Sequence, residues 1–194
     1  MHTIHTTEAF ILSSRPVGEG SVWLSLYTRD FGCLGARAQG AREHASKLRY
    51  HLQEGGHILI DLVRGRDVWR VVGATPDPSS PSAVRARDAR SAHARIFRLL
   101  ERLHPGEDAD DALFETVRHW HIYAGNSERT QAEVEISEIV CVARIVARLG
   151  YLDIDHLLRA GVSEHDYVFD SPSLRAQRHT ILAHVNNALI ATGL

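Results

Sequence analysis

Along the first 75 residues, apolar and polar positions alternate with the two-residue period of half-buried strands. The run SVWLSLYT (21–28) is the clearest case: Val22, Leu24 and Leu26 take one face, Trp23, Ser25 and Tyr27 the other. Segments 8–14 (EAFILSS), 33–39 (CLGARAQ), 57–63 (HILIDLV) and 68–74 (VWRVVGA) complete five expected strands. Asp30-Phe31-Gly32 supplies turn chemistry between the second and third strands, with Gly32 available for positive φ. Gly65 in RGRD suits a hairpin between the fourth and fifth. The intervening 41–56 (AREHASKLRYHLQEGG) is helix-compatible at its centre and stopped by Gly55-Gly56. The order β-β-β-α-β-β is that of a five-stranded OB barrel, a closed sheet with one face and its loops free for oligonucleotides.

At ATPDPSSPS (74–82), three prolines and three serines end the strand pattern. Beyond it the period becomes helical: 84–104, 110–124, 132–152 and 171–194 each carry an apolar stripe. The expected class is α+β, with an OB domain over 1–75, a linker over 76–83 and an all-α helical domain over 84–194.

With 194 residues, 44% apolar and 24% charged, the chain has the composition of a globular protein and excludes wholesale disorder. No apolar run approaches a membrane span, and the N-terminus lacks the features of a signal peptide, so the expected location is cytoplasmic. The net charge of −2 hides an asymmetry: residues 1–75 carry nine Arg/Lys against seven Asp/Glu, residues 76–194 carry 13 against 17. All basic residues but Lys47 are arginine, the side chain suited to planar phosphate recognition, although GC-rich coding gives the same bias.

Candidate chemistry follows those arginines. Arg37, Arg42, Lys47 and Arg49 form the densest basic stretch, Arg64, Arg66 and Arg70 lie on the later hairpin, and Arg15 follows the first strand. On one side of a barrel they would form a track for a phosphate backbone. Trp23 and Tyr27, on one strand face, would add a base-stacking platform, and Trp69 and Tyr50 lie close to the basic runs. The same aromatics at strand spacing also read as core, and the basic patch as a solvated surface. In the first helix Arg87, Arg90, Arg95, Arg98 and Arg102 share one arc, opposite Ile96, Leu99, Leu100 and Leu103; this is either an exposed helix face or an extension of the track. No catalytic residue, cofactor or metal is expected. Nucleotide-binding, nucleophile-elbow and HExxH motifs are missing, Cys33 and Cys141 cannot build a four-cysteine centre, and the 13 histidines read as surface composition.

The stretch EAFILSSRPVGEGSVWLSLYTRDFGCLGARAQGAREHASKLRYHLQ resembles the RecO family of bacterial recombination mediators. Glu19, Thr28, Gly32, Gly40, Ala41, Arg42, Ser46, Lys47 and Leu52 carry the likeness, which returns in ALFE (112–115) and ARLGYL (147–152). The resemblance implies an N-terminal OB domain and a helical C-terminal domain that bind single- and double-stranded DNA and anneal strands. It implies partnership with RecR, with the acidic C-terminal tail of single-stranded-DNA-binding protein and, indirectly, with RecA, all at the nucleoid. It also assigns Arg42 and Lys47 to the family's basic segment. Many relatives carry a four-cysteine zinc module after the LGY segment; here LDIDHLLRAGVSEHDYVFDSPS has no cysteine, so a short form without zinc is expected. The reading is a non-enzymatic DNA-binding mediator of recombinational repair. An adapter binding an acidic tail with weak DNA contact, or an RNA-binding OB protein, would fit the same composition.

Overall fold

The computed structural model describes residues 3–44, 46–80, 87–104, 106–162 and 167–191. The side chains of Lys47 and Arg87, and residues 81–83 of the expected linker, lie outside the described residues. Two compact units emerge: residues 1–83 with 97–111, and residues 84–96 with 112–194. Residues 97–111 therefore group with the strands, although the helical pattern had assigned them to the second domain.

The first unit is a five-stranded barrel: β1 (Ile4–Val17), β2 (Ser21–Thr28), β3 (Gly32–Ala38), β4 (His57–Arg64) and β5 (Trp69–Pro76). The strands close in the order β1-β2-β3-β5-β4, with β4 returning to β1. This is the expected OB-type barrel. β1 extends beyond the expected 8–14 because it serves two neighbours: residues 4–10 pair with β4 and residues 9–17 with β2. An irregularity between Ile11 and Ser13 accommodates this double duty, as bulges do where a barrel strand bends. Closure comes from a short parallel contact in which Ala36, Arg37 and Ala38 face Trp69, Arg70 and Val71. Alternate residues, among them Ile11, Leu24, Leu26, Ala36, Ile60 and Leu62, fill the interior and are inaccessible to solvent.

Between β3 and β4 the expected helix is reduced to one 3₁₀ turn, Lys47–Tyr50. Ser46 stays extended and caps nothing with its side chain, so a longer helix has no start.

Gly32 shows how local chemistry fixes the β2–β3 hairpin. Its φ is +65°, and a Cβ there would overlap the backbone of Asp108. Thr28 Oγ1 donates to the Gly32 carbonyl at 2.9 Å, and the Cys33 N–H donates to the Gly106 carbonyl at 2.9 Å. Gly32→Ala must adopt a left-handed backbone and displace the 106–108 segment. We expect a loss of about 2 kcal/mol in urea unfolding; an unchanged midpoint would show that the segment yields freely.

α1 (Arg87–Leu103) contributes residues to both units. Within the first unit, its Phe97 ring lies 5.7 Å from that of Phe10, and His104 meets Tyr27 edge-on at 6.0 Å.

The second unit is helical, with α2 (Asp111–Gly125), α3 (Gln131–Arg148), α4 (Ile154–Arg159), α5 (Pro172–Ala176) and α6 (Arg178–Ala191). α3 begins at a capping box, Thr130 Oγ1 accepting the Glu133 N–H at 3.3 Å and Glu133 Oε2 accepting the Thr130 N–H at 2.8 Å. It ends on Gly150 at φ +80°, where the Gly150 and Tyr151 N–H groups donate to the Ala147 and Val146 carbonyls. Phe114, Val117, Trp120, Val140 and Ile145 form the buried centre. The single last helix expected over 171–194 is two: α5, capped by Ser171 with Pro172 in its first turn, and α6. Among the described residues no helix is long and apolar enough to cross a membrane.

The histidines are not simply surface composition. His57, His93, His104 and His121 are all buried. His93 Nδ1 meets the Ala89 carbonyl at 2.6 Å, and its Nε2 meets His121 Nδ1 at 2.9 Å.

Candidate nucleic-acid interface

Directly opposed residues of neighbouring strands share a sheet face. Arg15 of β1 opposes Trp23 of β2, Trp23 opposes Arg37 of β3, and Arg37 opposes Arg70 of β5. The pairing thus lines up Arg15, Trp23, Arg37 and Arg70 in one row across four strands. The row points outward, because its strand neighbours Leu24, Ala36, Ala38, Trp69 and Val71 point in and are buried. All three arginines are exposed, and the indole is half-buried.

Two contacts hold the indole. Arg15 Cζ lies 5.7 Å from its ring centre, within cation–π range. On β3, Gly35 leaves the space the ring occupies, since a Cβ at that position would overlap it. Arg37 Nη2 donates to Ser21 Oγ at 3.3 Å, which steadies the guanidinium without neutralising it.

Loops at this end of the barrel add further cations. Arg42 packs against the β1–β2 turn, its N–H donating to the Gly20 carbonyl at 3.0 Å and its Nη1 to the Gly18 carbonyl at 3.3 Å. Arg66 is exposed in the β4–β5 turn. Arg49 is exposed on the 3₁₀ turn beside Tyr50, a residue 76% accessible. The β2–β3 face and the loops after β1 and β4 are the elements with which OB barrels engage oligonucleotides.

Several expected members fall elsewhere. Tyr27 is fully buried beneath residues 97–104 and cannot stack on a base; burial raises its hydroxyl well above the usual tyrosine range. Trp69 is in the barrel core, its Nε1 donating to Glu107 Oε1 at 3.0 Å. The same carboxylate takes Arg64 Nη1 at 2.6 Å, while Arg64 Cζ sits 5.1 Å from the Trp69 ring centre, so the Arg64 charge is already offset. On α1, Arg95 makes a two-point ion pair with Glu138 inside the helical unit, which also removes it from a phosphate track. Arg90, Arg98 and Arg102 are exposed, as the helical periodicity predicts.

A second polar group lies on β1 and β4. Asp61 Oδ1 accepts the Thr6 hydroxyl at 2.6 Å, and Glu8 Oε2 meets both Arg29 Nη2 and His57 Nε2 at 3.3 Å. Glu8, His57 and Asp77 bring their ligand atoms within 4.8 Å of one another, a spacing that a cation could bridge. Arg29 already supplies positive charge to Glu8, and the group contains no thiolate, so it is unlike a four-cysteine zinc centre.

A shallow pocket of about 300 Å³ opens one strand row from the arginines, lined by Trp23, Ser25, Cys33, Leu34, Gly35 and Glu101. Glu101 Oε1 accepts the Ser13 hydroxyl at 2.9 Å. Burial, aided by Glu101, pushes the Cys33 thiol up to about 12, which keeps it protonated and weakly nucleophilic. Sequence patterning had not singled out Glu101. It is distant in the chain from the strands it meets, and nothing in a generic helix-face glutamate signals that contact.

Residues 1–75 match the family model described as "Recombination protein O N terminal". The chain is 32% identical over 120 residues to the DNA repair protein RecO of Heliobacterium modesticaldum, a match covering 61% of this chain and 44% of that protein. It is 27% identical over 145 residues to the DNA repair protein RecO of Alkalilimnicola ehrlichii, covering 74% and 53% respectively. The chain spans about half the length of these curated relatives.

Proposed function

The chain belongs to the RecO family, and on that premise we propose that it is a non-enzymatic DNA-binding mediator of recombinational repair. The observation that carries this reading is the row Arg15–Trp23–Arg37–Arg70, flanked by Arg42 and Arg66 on the adjoining loops. Arginines spaced along a sheet face screen successive phosphates, and a half-buried indole among them offers a π surface to unpaired bases. Lys47 and Arg49 join the same basic segment.

Such a surface acts without bond chemistry. Neutralising phosphates on two strands lowers their mutual repulsion, which brings complementary single strands together and accommodates a duplex as well. Help in loading RecA, together with RecR, contact with the acidic tail of single-stranded-DNA-binding protein, and a place at the nucleoid rest on the family premise alone.

A salt titration tests the DNA reading. If about five phosphates of a single strand are contacted, log affinity should fall against log salt with a slope of roughly −3.5. A slope near zero in fluorescence anisotropy would overturn the phosphate track.

A further inference from the structure

A surface that only tracks phosphates gains nothing from a carboxylate, yet Glu101 stands in the wall of the pocket beside the arginine row. Its place is defined: Ser13 Oγ donates to Oε1 at 2.9 Å, and Ser13 opposes Ser25, a pocket residue, across the β1–β2 ladder. An ionised carboxylate is an acceptor only, with about four lone-pair sites, so one hydroxyl donor leaves it capacity for others. Whatever enters the pocket must present donors toward Glu101. An acidic peptide does the opposite, and a phosphate is repelled.

The pocket is one row along the strands from Arg15, Trp23, Arg37 and Arg70. Ser25 and Gly35 oppose each other two residues from the Trp23–Arg37 pair. That step is about 7 Å, comparable to the reach from a backbone phosphate to its own base. With the backbone on the arginines, an unpaired base falls over the edge of the Trp23 indole and against Glu101. Gly35, lacking a Cβ, gives the Trp23 ring its place, so the indole itself lies over that part of the floor.

Resting on the single-strand DNA reading above, we infer that the Trp23–Glu101 pocket receives one unpaired nucleobase and selects bases that carry an exocyclic amino group. Cytosine, adenine and guanine offer an N–H₂ donor to the carboxylate. Thymine offers two carbonyls flanking a single imide N–H, and those carbonyls face the negative charge. The barrel therefore discriminates by base composition at one position while its arginines remain indifferent to sequence.

The test compares short homopolymers of deoxycytidine and thymidine at neutral pH by fluorescence anisotropy. Wild-type protein should bind the cytosine strand about tenfold more tightly, the worth of one hydrogen bond to a charged acceptor. Replacing each cytosine by N4,N4-dimethylcytosine removes the donor and should bring binding down to the thymine level, with no change to the protein. Glu101→Gln, which keeps the size but supplies an amide donor of its own, should bring the two strands to near-equal affinity. Equal binding of the two unmodified strands by wild-type protein overturns the pocket assignment and leaves the phosphate track standing. A preference that survives dimethylation or Glu101→Gln also overturns it. Failure to bind either strand overturns the DNA reading itself.

Discussion

Replacing Arg15, Arg37 and Arg70 together by alanine is expected to weaken single-stranded DNA binding roughly fiftyfold at physiological salt. Each phosphate contact on a single strand contributes about 0.7 to the slope of log affinity against log salt, so losing three flattens it by about 2. Extrapolated from molar salt, where such contacts contribute little, the same slope gives the fiftyfold loss. The three guanidiniums are exposed and, among the described residues, Arg37 bonds to a neighbouring hydroxyl, so the barrel should keep its unfolding midpoint. The loss should be uniform across sequences, because phosphates carry no sequence information. Arg64→Ala is the internal control: its guanidinium already pairs with Glu107 and should change affinity less than any member of the row. Anisotropy titrations at several salt concentrations measure both quantities. An unchanged slope would remove the row from the interface.

That row explains what the amino-acid sequence can and cannot convey. The alternation in SVWLSLYT, the Gly32 turn and the RGRD hairpin are local signals, and the five strands form where those signals put them. The row itself depends on register between strands far apart in sequence, above all the parallel contact of β3 with β5. No period within a single strand encodes that contact. The aromatic assignments failed for a related reason. Trp23 and Tyr27 alternate onto one face as the pattern predicts, but Tyr27 is buried against His104 while Trp23 stays partly exposed. Trp69 alternates inward with Val71 on either side of exposed Arg70, and its indole N–H meets Glu107, a residue 38 positions away. Arg64 and Arg95 looked like free cations until Glu107 and Glu138, each 43 residues distant, proved to be their partners. Charge counted along a chain overstates the charge available at a surface, because long-range carboxylates decide which arginines remain open.

The helical unit should lose roughly 3 kcal/mol of stability between about pH 6.5 and pH 4 through His93 alone. Burial pushes its pKa down to about 4 from the ordinary 6.5, against the opposing pull of the Ala89 carbonyl. The network assigns the neutral tautomer: Nδ1–H donates to Ala89 at 2.6 Å, and Nε2 accepts from His121 Nδ1–H at 2.9 Å. Protonating Nε2 sets one N–H against another unless His121 changes tautomer, and it leaves a charge on a buried ring. With the folded pKa depressed, the unfolded chain binds the extra proton first as pH falls. The stabilisation is therefore complete above pH 6.5, declines as acid protonates the unfolded chain, and is gone once pH has passed below about 4. Urea unfolding at successive pH values, followed by the fluorescence of the tryptophans, gives the curve. His93→Gln has no proton to take up, so its stability should depend less steeply on pH over this window, even if it starts lower. A variant curve parallel to that of the wild type would show that the acid sensitivity belongs to other groups.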